Sequence, residues 1–259
     1  MSPKQLCLIR HAQGYHNLNL EGHNIHDPTL TTEGERQCKK LASQLVDMDK
    51  IDCIVASPLK RTLDTALVTF RSLLDSKPDL RIIALPELQE TANMPCDTGS
   101  SVAELRREFP KEPLDLSLVG ESWTDKSSGP FSPRSKDVAE RCRKARCFLR
   151  QLDAENVAVV AHGAVLHYLT DDWQGATSGV GTGWANAESR VYQFDESSEQ
   201  SVAGAMLVET DDSRAARTLT EHRLPPAAQA ALKKEAEKMW VTQGFITLDN
   251  GVKEGESDS

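Results

Sequence analysis

The stretch VAVVAHG, residues 157–163, decides the fold class of this chain. Its first five residues are all apolar, and three of them are valines. An unbroken run of this kind is typical of a strand that a parallel sheet buries on both faces. A helix is predicted to follow from Gly163 to about Thr170. A strand that leads straight into a helix is the repeating unit of α/β folds.

Strand and helix patterns alternate outward from this stretch. Apolar strands are predicted at 6–9, 51–56 and 80–85, and helices at 33–47, after Ser57-Pro58 and at 136–152. Ser57 is expected to cap its helix, with Pro58 in the first turn. This alternation predicts a three-layer α/β/α fold with a mainly parallel central sheet. Past residue 185 the pattern weakens to two candidate strands, at 189–194 and 205–208, and a helix at 225–240.

The length of 259 residues suits one large domain, which we predict over residues 1–250. Residues 91–133 are irregular and rich in Pro, Gly and Ser, with one short helix expected at 101–109. We interpret them as an insertion that determines specificity. Residues 251–259 are predicted to be a disordered tail.

Composition and charge exclude several classes of protein. Hydrophobic residues make up 39% and charged residues 27%, and no apolar run approaches the ~20 residues of a membrane helix. The net charge of −9 argues against a nucleic-acid partner. Six cysteines without a C-x-x-C pair predict free thiols in a reducing compartment, so we expect a cytoplasmic protein without a membrane partner.

Polar residues that suit phosphate chemistry follow the ends of the predicted strands. They are Arg10-His11, Ser57 with Arg61, Glu87 and Glu90, and His162-Gly163. Ligands of open α/β sheets bind at the carboxyl ends of the strands, so these groups are predicted to converge.

Each member of this set has a chemical role in phosphoryl transfer. Guanidinium forks and the helix N-termini after Ser57 and His162 attract a phosphate dianion. A neutral histidine can attack phosphorus, and a buried, protonated carboxyl can protonate the leaving oxygen. No carboxylate cluster suited to Mg²⁺ falls at these strand ends, so we expect arginines to neutralise the transition state without a metal.

Five sequence blocks resemble the histidine phosphatase, or phosphoglycerate mutase-like, superfamily (branch 1). Residues 8–17, LIRHAQGYHN, resemble its Arg-His-x-x-Gly/Thr-x-x-Asn signature. The other blocks follow in family order at 27–34, 56–62, 86–90 and 160–163, so the resemblance covers roughly residues 5–190. The variant RHAQGYHN looks closest to a fungal and plant branch of uncharacterised phosphoglycerate mutase-like proteins.

The resemblance implies a phosphoglycerate mutase-like fold and a role for each matching residue. It implies His11 as the nucleophile that becomes phosphohistidine, Glu90 as proton donor and later base, and His162 as the second catalytic histidine. It implies a phosphate site of Arg10, Asn17, Arg61 and His162, with no metal or cofactor. Glu87 is the alternative proton donor. Glu90 is preferred because it holds the family's place two residues after Leu88.

Other conspicuous residues have simpler interpretations. We expect ordinary structural roles for His16, His23, His26, His167 and His222, a turn near the site mouth for the glycine run 179–183, and solvated helix faces for Arg106-Arg107 and the arginines between 141 and 150. Trp123 and Trp184 are candidates to line a substrate pocket. His23-x-x-His26 lacks a third ligand at a spacing that would hold zinc.

Three functions compete. The first is a phosphomonoesterase acting on a small phosphorylated metabolite, the second a phosphoglycerate mutase-type phosphotransferase, and the third a non-catalytic relative that only binds. Mutases of this family resemble one another in having Arg-His-Tyr-Gly after the acid, whereas residues 91–97 here contain no basic residue. The non-catalytic alternative is disfavoured because every expected catalytic residue is present. The sequence leaves the natural substrate and the oligomeric state open.

Overall fold

A seven-stranded sheet forms the centre of the computed structural model, which describes residues 5–177, 182–217 and 223–248. Its strands are β1 Gln5–Arg10, β2 Cys53–Ala56, β3 Ile82–Ala84, β4 Leu114–Asp115, β5 Asn156–Ala161, β6 Ser189–Phe194 and β7 Leu207–Glu209. They lie in the order β4-β3-β2-β5-β1-β6-β7. The pairs from β4 through to β1 are parallel, while β6 and β7 add two antiparallel pairings at one edge. The predicted, mainly parallel sheet is confirmed.

Helices cover both faces of the sheet. They are α1 Thr32–Gln44, α2 Lys60–Thr69, α3 Arg71–Ser76, α4 Val102–Glu108, α5 Ser135–Gln151, α6 Gly163–Thr170, α7 Glu199–Ala203, α8 Asp211–Ala216 and α9 Pro226–Thr242. The short elements β4, α7 and α8 escaped prediction because two to six residues are too few to show a period.

Strand β5 shows why the fold has three layers. Val157 and Val159 pack into an apolar cluster with residues of α5, α6 and α9. Ala158 and Val160 point the other way, into a cluster with residues of α2 and α3. Because successive side chains of a strand alternate between faces, the apolar run 157–161 supplies both cores at once.

The prediction for the helix after β2 is wrong in two respects. It begins at Lys60, so Ser57 is not its N-cap, and the apolar stripe is divided between α2 and α3 at Phe70. The backbone N–H of Lys60 donates instead to the Asp27 carboxylate at 3.0 Å. A contact from a distant loop thus replaces the local cap, which a reading of neighbouring residues cannot foresee.

All six cysteines are free, as predicted, and burial raises the pKa of the Cys7 thiol to about 12. No helix in the described part of the chain is long and apolar enough to cross a membrane. The predicted tail 251–259 and residues 179–181 of the glycine run lie outside the described residues.

Candidate active site

The sheet register brings the predicted residues together. Arg10 pairs with Ala161 where parallel β1 and β5 end, so His11 and His162 follow side by side. Their ring centroids are 5.1 Å apart. A cavity of about 160 Å³ opens here, lined among others by Arg10, His11, Asn17, Arg61 and Glu90. His162 lies fully buried beside His11.

The tautomer of His11 follows from its hydrogen bond. Nδ1 of His11 lies 2.7 Å from the carbonyl oxygen of Ala12, which can only accept, so Nδ1 carries the proton and Nε2 keeps its lone pair. Burial, followed by the positive charge of Arg61, lowers the pKa of His11 well below its usual value. The side chain is therefore a neutral imidazole with a free nucleophilic nitrogen.

Arg10 and Arg61 each keep one buried donor without a partner. Arg10 donates to the carbonyl of Trp184, and Arg61 donates to the carbonyl of Cys96 and, at 2.8 Å, to the carboxylate of Asp97. The Nε atom of each arginine has no hydrogen-bond partner among the described residues. Both arginines line the cavity, where their guanidinium groups can attract an anionic ligand.

Two close contacts define the surroundings of His162. Its Nε2 lies 2.9 Å from Oγ of Ser57 at the end of β2. A Cβ built on Gly163 would lie 2.0 Å from Oγ1 of Thr182, so only glycine lets Thr182 reach the cavity wall here. Burial lowers the pKa of His162 well below its usual value, which keeps this ring neutral as well.

Asn17 joins the cavity wall to the backbone of His11. Its Oδ1 accepts from the N–H of Gly14 at 3.0 Å and from Nδ2 of Asn186 at 3.3 Å. Nδ2 of Asn186 also donates to the carbonyl of His11 at 3.1 Å.

The expectation that two helix N-termini bind phosphate is not met. Glu90 places its carboxylate on the N-terminus of α6, where it accepts from Ala164 at 3.2 Å and Val165 at 3.1 Å. Asp27 similarly occupies the N-terminus of α2 through Lys60. The positive ends of both helices are thus already matched by carboxylates of the chain.

Of the two candidate acids, Glu90 lines the cavity, whereas Glu87 is not among its lining residues. Desolvation in the cavity, followed by the negative charge of Asp97, raises the pKa of Glu90. A carboxyl group with a raised pKa holds a proton to higher pH and can act as an acid.

Two buried cations that the sequence did not indicate hold the Glu90 segment in place. Arg141 donates to the carbonyls of Glu87 at 2.7 Å and Gln89 at 2.6 Å, so its predicted solvated position is wrong. Arg146 is buried too. Lys126 donates to the carbonyl of Glu90 at 2.6 Å, and burial lowers its pKa to about 7. An arginine-rich helix and a Ser-rich loop gave no sign of these contacts.

His16 and His23 line the cavity, contrary to the ordinary roles expected for them. The ring of His16 lies 5.2 Å from that of His11, and burial lowers the pKa of His16 to about 2. The sequence feature that could have indicated a place for His16 at the cavity is its position inside the block 8–17, three residues after Gln13. His26 instead contacts the carbonyl of Gly99 at 3.1 Å.

The side chains of the remaining candidates do not line the cavity. Trp123 is buried in the apolar core, and Arg106 and Arg107 are exposed on α4. Trp184 is buried and contributes its backbone carbonyl to Arg10. Among the described residues, no three or more His, Cys, Asp or Glu side chains are grouped to hold a metal ion.

The fold and the cavity define an α/β protein with a neutral histidine and guanidinium donors at one sheet edge. Residues 6–204 match the sequence model of the histidine phosphatase superfamily (branch 1). The chain belongs to this family, as its sequence blocks predicted.

Known proteins of similar sequence and structure agree with this assignment. A probable phosphatase of Schizosaccharomyces pombe is 28% identical over 62% of this chain and 74% of its own length. A phosphoglycerate mutase-like protein of Arabidopsis thaliana is 26% identical over 64% and 70% of the two chains. The structure of a putative alpha-ribazole-5'-P phosphatase from Escherichia coli superposes with a TM-score of 0.51, at 18% identity, over 80% of this chain and 95% of that one, which supports the fold.

Proposed function

We propose that this chain is a phosphomonoesterase that hydrolyses a small phosphorylated metabolite through a phosphohistidine intermediate on His11. The observation that carries the proposal is the neutral His11 ring, whose Nε2 lone pair shares a cavity with Arg10 and Arg61. Family membership and the similarity to a probable phosphatase support a phosphatase.

In the first step, Nε2 of His11 attacks phosphorus, so that a P–N bond forms while the P–O bond to the alcohol breaks. Arg10, Arg61 and His162 stabilise the charge on the phosphoryl oxygens. Glu90, whose pKa is raised, gives its proton to the leaving oxygen.

The second step regenerates the enzyme. Water attacks phosphorus while the Glu90 carboxylate accepts its proton, and the P–N bond breaks to release inorganic phosphate and neutral His11. The guanidinium groups of Arg10 and Arg61 hold the phosphoryl group in both steps.

We further propose that the reaction needs neither a metal nor a cofactor, because the guanidinium groups supply the positive charge that a cation would otherwise bring. A phosphorylated small molecule is the proposed partner, with no nucleic acid or membrane involved. The free thiols support a cytoplasmic location.

The charge around Arg61 favours hydrolysis over mutase chemistry. Asp97 already pairs with Arg61, and residues 91–101 contain no Lys or Arg to hold a second anionic group. Lys126 is a nearby cation of the insertion (residues 91–133), and its ammonium group donates to backbone carbonyls. A doubly anionic acceptor would therefore meet repulsion.

The test is a panel of phosphate esters with purified protein, measured beside 2- and 3-phosphoglycerate interconversion in the presence of 2,3-bisphosphoglycerate. We expect steady release of phosphate from monoesters and negligible interconversion. Interconversion faster than release would support the mutase, and the absence of both activities would support a non-catalytic relative.

A further inference from the structure

Two apolar side chains and one imidazole ring, from three distant parts of the chain, line the cavity together. Met94 belongs to the insertion, His23 to the loop after β1 and Phe245 to the segment after α9, and all three line the cavity. We call them the outer wall. The rings of His23 and Phe245 meet edge to face at 6.5 Å. Phe245 lies beyond residue 204, where the family match ends.

The backbone around Phe245 is anchored on both sides. Gly244 adopts a φ of +77°, which favours glycine, and the N–H of Phe245 donates to the carbonyl of Trp240 at 2.9 Å. The next residue, Ile246, is buried in the core. Thr247 then exchanges two backbone hydrogen bonds with the segment before α5. Anchors on both sides make this a built surface rather than a loose end.

Met94, the third residue of the outer wall, lies close to the turn at Gly244. A Cβ built on Gly244 would lie 3.3 Å from Cε of Met94. A thioether beside an aromatic ring forms an apolar surface that adapts to ligands of different shape.

The charges of the cavity select against a second anionic group on the substrate. Arg10 and Arg61 are the arginines among its described lining residues, and Arg61 is paired with Asp97. Asp97 and Glu90 are carboxyl groups of the same lining. An anionic leaving group would face them without a free cation, so an uncharged one binds better.

The cavity is too small to enclose a large ester. Its volume of about 160 Å³ is below the roughly 300–1,000 Å³ of pockets that enclose a drug-sized ligand. A longer leaving group must therefore pass along the outer wall. The segment that supplies His16, Asn17 and His23 also exposes the apolar side chains Tyr15, Leu18, Leu20 and Ile25.

We infer that the outer wall is a leaving-group subsite that selects monophosphates of uncharged, apolar alcohols, an inference that rests on the proposed phosphomonoesterase function. Phe245 and Met94 supply the specificity, and Arg10 and Arg61 bind the phosphate end that every substrate shares.

The direct test measures binding of n-alkyl phosphonates, from methyl to hexyl, by calorimetry with the wild-type protein. We expect the affinity to rise about two- to fourfold per methylene along the first carbons, because each is removed from water. Affinity that does not change with chain length would overturn the subsite.

Variants locate the effect. Phe245→Ala should flatten the dependence on chain length, and Met94→Ser provides a second variant in case the first fails to fold. Leu248→Ala removes an exposed apolar side chain of the same segment that does not line the cavity, and should keep the wild-type dependence. An unchanged dependence in both Phe245→Ala and Met94→Ser would contradict the inference.

The same alkyl series as phosphate esters separates the two proposals. Phosphonate affinity that rises with chain length, without hydrolysis of any ester, would support the subsite and refute the phosphomonoesterase. Hydrolysis at a rate independent of chain length would support the phosphomonoesterase and refute the subsite.

Discussion

The cavity has two sides that are built differently. The proposed phosphate wall consists of Arg10, His11 and Arg61, which line the cavity, and of His162, which is buried beside His11. These residues follow the ends of β1, β2 and β5, which the sheet register places side by side. The outer wall of Met94, His23 and Phe245 comes from loops and from beyond the family match. If both proposals hold, the sheet positions the phosphate chemistry, while loops that pack on it determine the choice of leaving group.

The largest effect is expected within the phosphate wall, at its nucleophile. His11→Ala should lower kcat by about 10⁴-fold or more, because the covalent path is lost and the arginines alone cannot replace it. Steady-state hydrolysis of p-nitrophenyl phosphate measures the loss. His26→Ala, a histidine outside the cavity, serves as the control and should retain activity.

The next largest effect is expected at the proposed proton donor, Glu90. Glu90→Gln should lower kcat by about 10³-fold for alkyl esters and less for p-nitrophenyl phosphate, whose leaving group needs little protonation. Glu87→Gln is the matched variant, three residues away and outside the cavity. A larger loss in Glu87→Gln than in Glu90→Gln would show that the proton donor has been misassigned.

A smaller effect tests how the insertion tunes the acid. The negative charge of Asp97 helps to raise the pKa of Glu90, and Glu90 must be protonated to act. Activity therefore falls as pH rises through that pKa, and Asp97→Asn should move the alkaline limb of kcat/KM to lower pH. Because the variant also breaks a buried ion pair, we expect a stability loss on the order of 3 kcal/mol.

The pH profile distinguishes this electrostatic role from mere loss of structure. Asp125→Asn changes an exposed carboxylate of the same insertion and should keep the wild-type profile. An alkaline limb that stays in place in folded Asp97→Asn would show that Asp97 does not act on Glu90.

Removal of metal ions is expected to have no effect on activity, which is the smallest effect in this series. If the phosphate wall supplies all the positive charge, incubation with EDTA should leave the rate of ester hydrolysis unchanged. Turnover that is lost in EDTA and restored by Mg²⁺ or Zn²⁺ would show that the phosphate wall is incomplete by itself.

The sequence predicted the two walls unequally. His11, Arg61 and His162 could be found because each follows an apolar strand, and neighbouring parallel strands end at one edge. The capping contacts that Asp27 and Glu90 make with α2 and α6 could not be predicted, since they join residues far apart in the chain.

Buried cations and the outer wall were also beyond sequence reasoning. The sequence predicts a solvated position for Arg141 and no contact for Lys126, although both side chains are buried against backbone carbonyls. Phe245 belongs to a region without strand–helix alternation, so no pattern connects it to His11. Tertiary packing alone brings such residues to a site.

The central claim is that phosphate passes through Nε2 of His11, and rapid acid-free quenching of the enzyme with a ³²P-labelled monoester tests it most directly. We predict label on the peptide that contains His11, stable to base and lost in acid, and no label on His11→Ala. Label on another residue, or full turnover by His11→Ala, would contradict the account.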